Sequence, residues 1–414
     1  MNVFTLIFVV VIVLNVGLQL WLSQRHIRYV AAHRDRVPDA FKARIPLSAH
    51  QKAAHYTITR TTFAQYELLI GTVLLLIWTL GGGLNLLDTA WRQLQLPGLI
   101  TGVAVMLSVY AIVAVLDLPL SAYRTFVVEQ RFGFNRTTPR TFVMDVLKRS
   151  VLLLIIGTPL AALVLWLMNN AGDRWWLYVW IAWMIFSLVM TWAYPVFIAP
   201  LFNRFRPLDD EDLRNRIEAL LTRSGFSSKG IFVMDGSLRS THGNAYFTGF
   251  GTHKRIVFFD TLLKELEHKE IESVLAHELG HFKRNHIIKK IVLMASLSLL
   301  GLALLGWLIE LPWFYHGLGV SQASVHIALI LFLMVAPVFS VFLQPILAAL
   351  SRKYEFEADD YAAQHSDPVS MIGALVKLYK ENAATLTPDP LYSAFHDSHP
   401  PAPVRVAQLL ARTR

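Results

Sequence analysis

Residues 277–311 read HELGHFKRNHIIKKIVLMASLSLLGLALLGWLIEL. Two imidazoles, His277 and His281, stand four positions apart, and a carboxylate, Glu278, follows the first. On a helix, positions i and i+4 share one face, so both rings can reach a single ion. Zinc accepts neutral imidazole nitrogens, and Glu278 then sits beside a coordinated water as a base. Metal-assisted peptide hydrolysis needs these parts. The apolar run Ile291–Leu311 follows and is long enough to cross a bilayer. Lys289 and Lys290 fall where a helix enters the headgroup region. Few breakers separate His281 from this run, apart from Gly280 inside the motif. The motif is therefore expected at a membrane face.

Two histidines leave a catalytic zinc site one ligand short. The stretch Tyr354-Glu355-Phe356-Glu357-Ala358-Asp359 offers a carboxylate. Glu355 and Asp359 share a helix face. Glu355 is the expected third ligand, and Asp359 is expected to accept a hydrogen bond from a ligand histidine and fix its tautomer. Glu357 points away from Glu355 and is expected to be solvated. Alone, this stretch also reads as an ordinary acidic helix end beside Arg352 and Lys353; beside the histidine motif the ligand reading is favoured.

The 414 residues are 54% hydrophobic and only 16% charged, which fits a polytopic membrane protein. Roughly seven spans can be read from apolar runs. They are Val3–Leu22, Leu68–Leu87, Leu99–Leu120, Val151–Met168, Trp175–Ile198, Ile291–Leu311 and Val325–Leu350. The first run lacks a basic lead and a small-residue cleavage site, so it reads as a span rather than a signal peptide. Arg25 and Arg28 follow it and place the next loop in the cytosol. Lysines and arginines then crowd the loops after the first and third spans and are sparse after the second, fourth and sixth. The alternation fits an odd number of spans with a cytosolic catalytic face. The +9 net charge resides in these loops and calls for membrane lipid, not nucleic acid, as partner. Trp175, Trp176 and Trp180 read as an interfacial aromatic belt. Cysteine is absent, which excludes disulfides and thiolate ligands.

Four portions follow: membrane spans with basic loops over 1–199, a cytosolic catalytic portion over 200–290, two more spans over 291–350, and a carboxyl-terminal catalytic segment over 351–414. In the second, Asp209 to Arg223 reads as an amphipathic helix ended by Gly225. Short β-like runs at 231–234, 245–248 and 255–259, punctuated by Gly236, Gly243, Gly249 and Gly251, predict a small, partly exposed sheet. Asn244, Ala245 and Tyr246 offer an edge strand to which an extended peptide substrate adds; a plain structural strand is the other reading. Glu67 and Asp117 fall near or inside spans and either line a cavity or sit at the cytosolic boundary. His242, His286 and His396 are assigned no metal, His286 because it lies in the wrong helical phase from His281.

With these segments in place the chain resembles the type I CAAX prenyl proteases, integral-membrane zinc metalloendopeptidases. The resemblance runs through Glu129-Gln130-Arg131-Phe132-Gly133-Phe134-Asn135-Arg136-Thr137, Asn244 to Phe247, Lys254 to Val257, Phe259 to Leu263, His277 to His281, Ser351 to Asp359 and Ser398-His399-Pro400-Pro401. It implies one zinc ion on His277, His281 and Glu355, with Glu278 as general base and acid. His399 and Arg405, in or near the family's carboxyl-terminal motif, become candidates to steady the oxyanion; without the resemblance they read as a turn histidine and a surface helix residue. The implied fold is mostly α: a barrel of seven transmembrane helices around a water-filled chamber, carrying a small α+β metallopeptidase portion. The implied reaction removes carboxyl-terminal tripeptides from prenylated CAAX proteins, at least in eukaryotic relatives.

The chain closes Ala411-Arg412-Thr413-Arg414, without a dilysine retrieval tail, which points to a bacterial inner membrane rather than the endoplasmic reticulum. Two other functions stay open on sequence. A broad quality-control protease for membrane proteins would use the same zinc chemistry on unprenylated chains. A non-enzymatic transporter or scaffold would show matched broken helices or four metal ligands, and neither pattern is seen.

Overall fold

A computed structural model describes residues 2–248 and 253–412. Gly249 and Gly251, expected to punctuate the sheet, and the terminal Thr413 and Arg414 lie outside those residues. Seven helices are long and apolar enough to cross a membrane: Val3–His33, Leu47–Trp78, Gly98–Glu129, Pro139–Asn170, Gly172–Phe202, His286–Leu308 and Val325–His365. Their number matches the reading, but most run well past the apolar cores. The second corrects its expected boundary. It stops at Trp78, and a separate short helix, Gly83–Arg92, follows. Gly82 takes a positive φ of 75°, and a side chain on Gly81 would stand 2.8 Å from the Ile77 carbonyl. Hydropathy carried through this turn because its flanks are apolar.

Phe8, Leu84, Leu165, Phe314 and Ile327 are fully or almost fully buried between the membrane helices. Large apolar residues such as Ile155 and Trp166 are exposed, as lipid-facing positions require. The tryptophans at the start of the fifth span also pack inside the protein. Trp175 is buried, Trp176 packs on Gly306, and Trp180 Nε1 donates to the Ala295 carbonyl at 2.9 Å. They seal the fifth span against the sixth. Glu67 is bonded to Arg124, and Asp117 is exposed on the third span.

The polar portion carries a four-stranded sheet of β1 (Phe205–Pro207), β2 (Ser227–Met234), β3 (Ala245–Thr248) and β4 (His253–Phe259), ordered β1-β2-β4-β3. β2 and β4 run parallel, while β1 and β3 pair antiparallel at the edges. Burying Ile231 and Val233 with Ile256 and Phe258 joins the sheet to the helix Glu211–Arg223 through Leu213, Ile217 and Leu220. That helix starts after Asp210, whose side chain caps it by accepting from the Leu213 N–H at 2.9 Å.

The motif Glu129 to Thr137 fastens membrane and polar portions together. The Arg136 N–H donates to the Arg239 carbonyl at 3.0 Å, and the Thr241 N–H to the Phe134 carbonyl at 3.2 Å. Arg239 also grips Asp145 of the fourth span through Nε at 2.7 Å and Nη2 at 2.9 Å. Residues 239–242 lead directly into Asn244 and β3.

Candidate metal centre

The helix His268–Lys283 presents the two histidines, and the helix Gln344–His365 presents Glu355. Glu267 and Glu270 form a reciprocal capping box at the start of the first. The two helices pack so closely at Gly280 that a Cβ there would lie 3.0 Å from the Ala358 Cα and 3.0 Å from the Tyr361 Cβ. That contact sets Glu355 opposite the histidines. One ligand atom from each of His277, His281 and Glu355 falls within 4.8 Å of the others. His277 Nε2 is 3.3 Å from Glu355 Oε2, His281 Nε2 is 3.4 Å from Oε1, and the two Nε2 atoms are 3.3 Å apart.

These donors fit a divalent ion. Two imidazole nitrogens and a carboxylate oxygen are the two-His, one-Glu set of a catalytic zinc site. Glu355 is only 3% exposed, and its Oε2 is buried with no hydrogen-bond partner. Without an ion, His277 takes up the slack. Burial alone would lower its pKa, but its contacts with the Asp359 and Glu355 carboxylates outweigh that and raise it to about 9. A cation on Nε2 would take the place of that proton.

Each ligand imidazole uses its far nitrogen on a partner. His277 Nδ1 lies 2.8 Å from Asp359 Oδ1. Asp359 is fully buried and is held in turn by Arg405, through Nε at 2.7 Å and Nη2 at 2.5 Å. Arg405 is 6% exposed, so it is no surface residue. Its Nε and Nη2 both grip Asp359, which lies behind His277. His399 does reach the open side. Its Nε2 is 3.4 Å from Glu355 Oε1, and its side chain is 62% exposed. Glu278 is partly exposed, and among the described residues its carboxylate has no partner.

His281 is oriented by residues that the sequence reading set aside. The helix of His281 ends at Lys283, Asn285 takes a left-handed φ of 56°, and His286 opens the next helix. Helical phase cannot be carried across that break. His286 swings back so that its Nδ1 lies 3.0 Å from His281 Nδ1, while its Nε2 lies 2.9 Å from Glu357 Oε2. The Tyr354 ring stacks on it at 4.3 Å. Glu357, expected in solvent, is thus engaged. Asn285, a residue tolerant of the left-handed region, was the available signal for a break.

Asn244, Ala245 and Tyr246 lie at and in β3, the edge strand next to β4. Phe247 packs on Phe282, the residue after His281, with ring centroids 5.9 Å apart. The edge strand therefore runs beside the histidine helix. Asn244 is exposed, and its Oδ1 accepts from the Ala245 N–H at 2.8 Å. His242, just upstream, is held by Asn382 at 3.0 Å and stacks on Phe134 at 4.4 Å.

Known proteins share this arrangement. Residues 26–204 match the family described as "CAAX prenyl protease N-terminal, five membrane helices", and residues 207–413 match "Peptidase family M48". CAAX prenyl protease 1 of Saccharomyces cerevisiae is 35% identical over 71% of this chain and 68% of its own length. The human CAAX prenyl protease 1 homolog is 31% identical over 97% of this chain and 95% of its own. The chain belongs to the CAAX prenyl protease 1 family of M48 peptidases. The crystal structure of Ste24p from S. mikatae has a TM-score of 0.91 and 28% identity, covering 99% of both chains. Family membership bears out the resemblance, the mostly helical seven-span fold, the zinc metallopeptidase class and the multi-pass membrane placement. The relatives named are eukaryotic and lend no support to the bacterial inner membrane expected from the tail.

Proposed function

We propose that the chain is a membrane-embedded endopeptidase that cuts near the carboxyl terminus of prenylated CAAX proteins, with its site at the cytosolic face. The observation that carries this reading is the convergence of His277, His281 and Glu355 beside an uncommitted Glu278. When bound, zinc acidifies a water and polarises the scissile carbonyl. Glu278 accepts the proton from that water and delivers it to the leaving amine. Asp359, gripped by Arg405, holds His277 in the tautomer whose Nε2 is free to ligate. His286 does the same for His281. His399 stands on the accessible side, where a neutral imidazole N–H can donate to the developing oxyanion. Arg405 acts as a positioning residue.

The edge of β3 accepts an extended peptide as a further strand, with Asn244 at its entry, and so aligns the scissile bond with the neighbouring helix. The relatives' names supply the substrate class. An apolar cavity of about 1300 Å³ between the spans suits a lipidated chain; Phe332, Leu343 and Leu347 line it, the last two turns before Glu355. Cleavage-site mapping tests the reading, using one peptide with and without its isoprenyl thioether. Release of the terminal tripeptide from the prenylated form alone supports it. Equal cleavage of both forms refutes the prenyl requirement in favour of a broad quality-control protease.

A further inference from the structure

The cytosolic ends of the fourth and fifth spans enclose a second, unrelated pocket of about 320 Å³. Four cations line it, Arg140, Lys148, Arg204 and Arg239, against two carboxylates, Asp145 and Asp235. The carboxylates are already engaged. Asp145 is bonded to Arg239, and Asp235 Oδ1 accepts from the Arg204 backbone N–H at 2.8 Å. Lys148 donates to the Leu201 carbonyl at 2.7 Å, which leaves its other protons free. Among the described residues, the guanidinium groups of Arg140 and Arg204 have neither a hydrogen bond nor an ion pair. Uncommitted guanidinium groups in a concave site match the oxygens of a phosphate.

The apolar surroundings identify the carrier of that phosphate. Met144 and Leu201 line the same pocket and are exposed. Val143 and Leu147 continue the exposed surface along the helix that enters the membrane. A soluble phosphate would leave this strip uncovered, whereas an acyl chain lies along it. We infer that the pocket binds one anionic phospholipid, its phosphate between Arg140, Arg204 and Lys148 and a chain against Met144 and Leu147. Arg239 and Asp145 form the pocket wall and also tie the fourth span to residues leading into β3, so the lipid stiffens that junction. The site shares no residue with the metal centre, and binding rather than cleavage reports on it.

Native mass spectrometry of the full chain in neutral detergent tests this with phosphatidylserine, phosphatidylcholine and inorganic phosphate as separate probes. One phosphatidylserine adduct is expected, without a phosphatidylcholine adduct at equal concentration. Replacing Arg140→Gln and Arg204→Gln together should weaken it by roughly thirtyfold, and Lys148→Gln alone by roughly fivefold, at about 1 kcal/mol per surface cation. Arg36→Gln with Lys42→Gln, in the loop after the first span, should leave it unchanged. Undiminished binding by the pocket variants, or equal loss in the control pair, overturns the site. Inorganic phosphate binding as tightly as the lipid overturns the lipid assignment.

Discussion

His281 and His286 meet Nδ1 to Nδ1 at 3.0 Å across a break in the helix. Two like nitrogens can bond only if one carries a proton and the other does not. With its Nε2 directed at the metal position, His281 carries the proton on Nδ1. His286 therefore accepts at Nδ1 and donates from Nε2 to Glu357. Replacing His286 by Ala removes the orienting acceptor and should lower zinc affinity by roughly ten- to a hundredfold. Metal content after dialysis against a graded chelator series measures this, and unchanged retention would remove His286 from the account.

Arg405 and Asp359 are both buried, so losing one partner strands a charge. Arg405→Ala should destabilise the protein by about 3–5 kcal/mol. Arg405→Lys keeps the charge but loses the two-pronged grip, and a smaller loss with loosened metal binding is expected. Thermal unfolding in detergent, read beside metal content, separates the two variants.

The elevated His277 sets a pH dependence for metal-free protein. Its folded pKa of about 9 lies above the ordinary 6.5. The protonated ring therefore contributes stability that is fully present below about 6.5 and is lost as pH rises through about 9. Metal-free protein should become less stable across that window. Zinc-loaded protein should not lose stability by this route, because the ion replaces the proton, and zinc affinity should climb over the same range. Unfolding temperatures of both forms across that window give the test; identical slopes would contradict the assignment of His277 to the metal.

A methyl group on Gly280 would press against the Ala358 backbone at 3.0 Å. Gly280→Ala should cost about 1–3 kcal/mol through overpacking and push Glu355 away from the histidines. Joint loss of stability and bound metal is the expected result. A stable variant with full metal occupancy would show that the close helix contact does not set the site.

Local periodicity made much of this legible in the sequence. His277 with His281, and Glu355 with Asp359, are pairs whose helical spacing decides their direction, and the structure joins the two faces. Apolar runs showed the number of spans because each needs a continuous bilayer-length stretch. What escaped depended on places where the chain breaks its own rule. The turn at Gly81 and Gly82 ended a helix inside apolar sequence, and Asn285 reset the phase that had excluded His286. The grip of Arg405 on Asp359 was hidden for a different reason: the two lie 46 positions apart, and local pattern says nothing about such a pair. β1, three residues ending in Pro207, was too short to read.

Glu278→Gln tests the central claim most directly, because it keeps the size of the side chain and removes only its basicity. Purified variant and parent should be compared for bound zinc and for turnover of one cleavable peptide. Equal zinc with turnover reduced by roughly a hundred- to ten-thousandfold is the expected outcome. Turnover near that of the parent at equal zinc would contradict it.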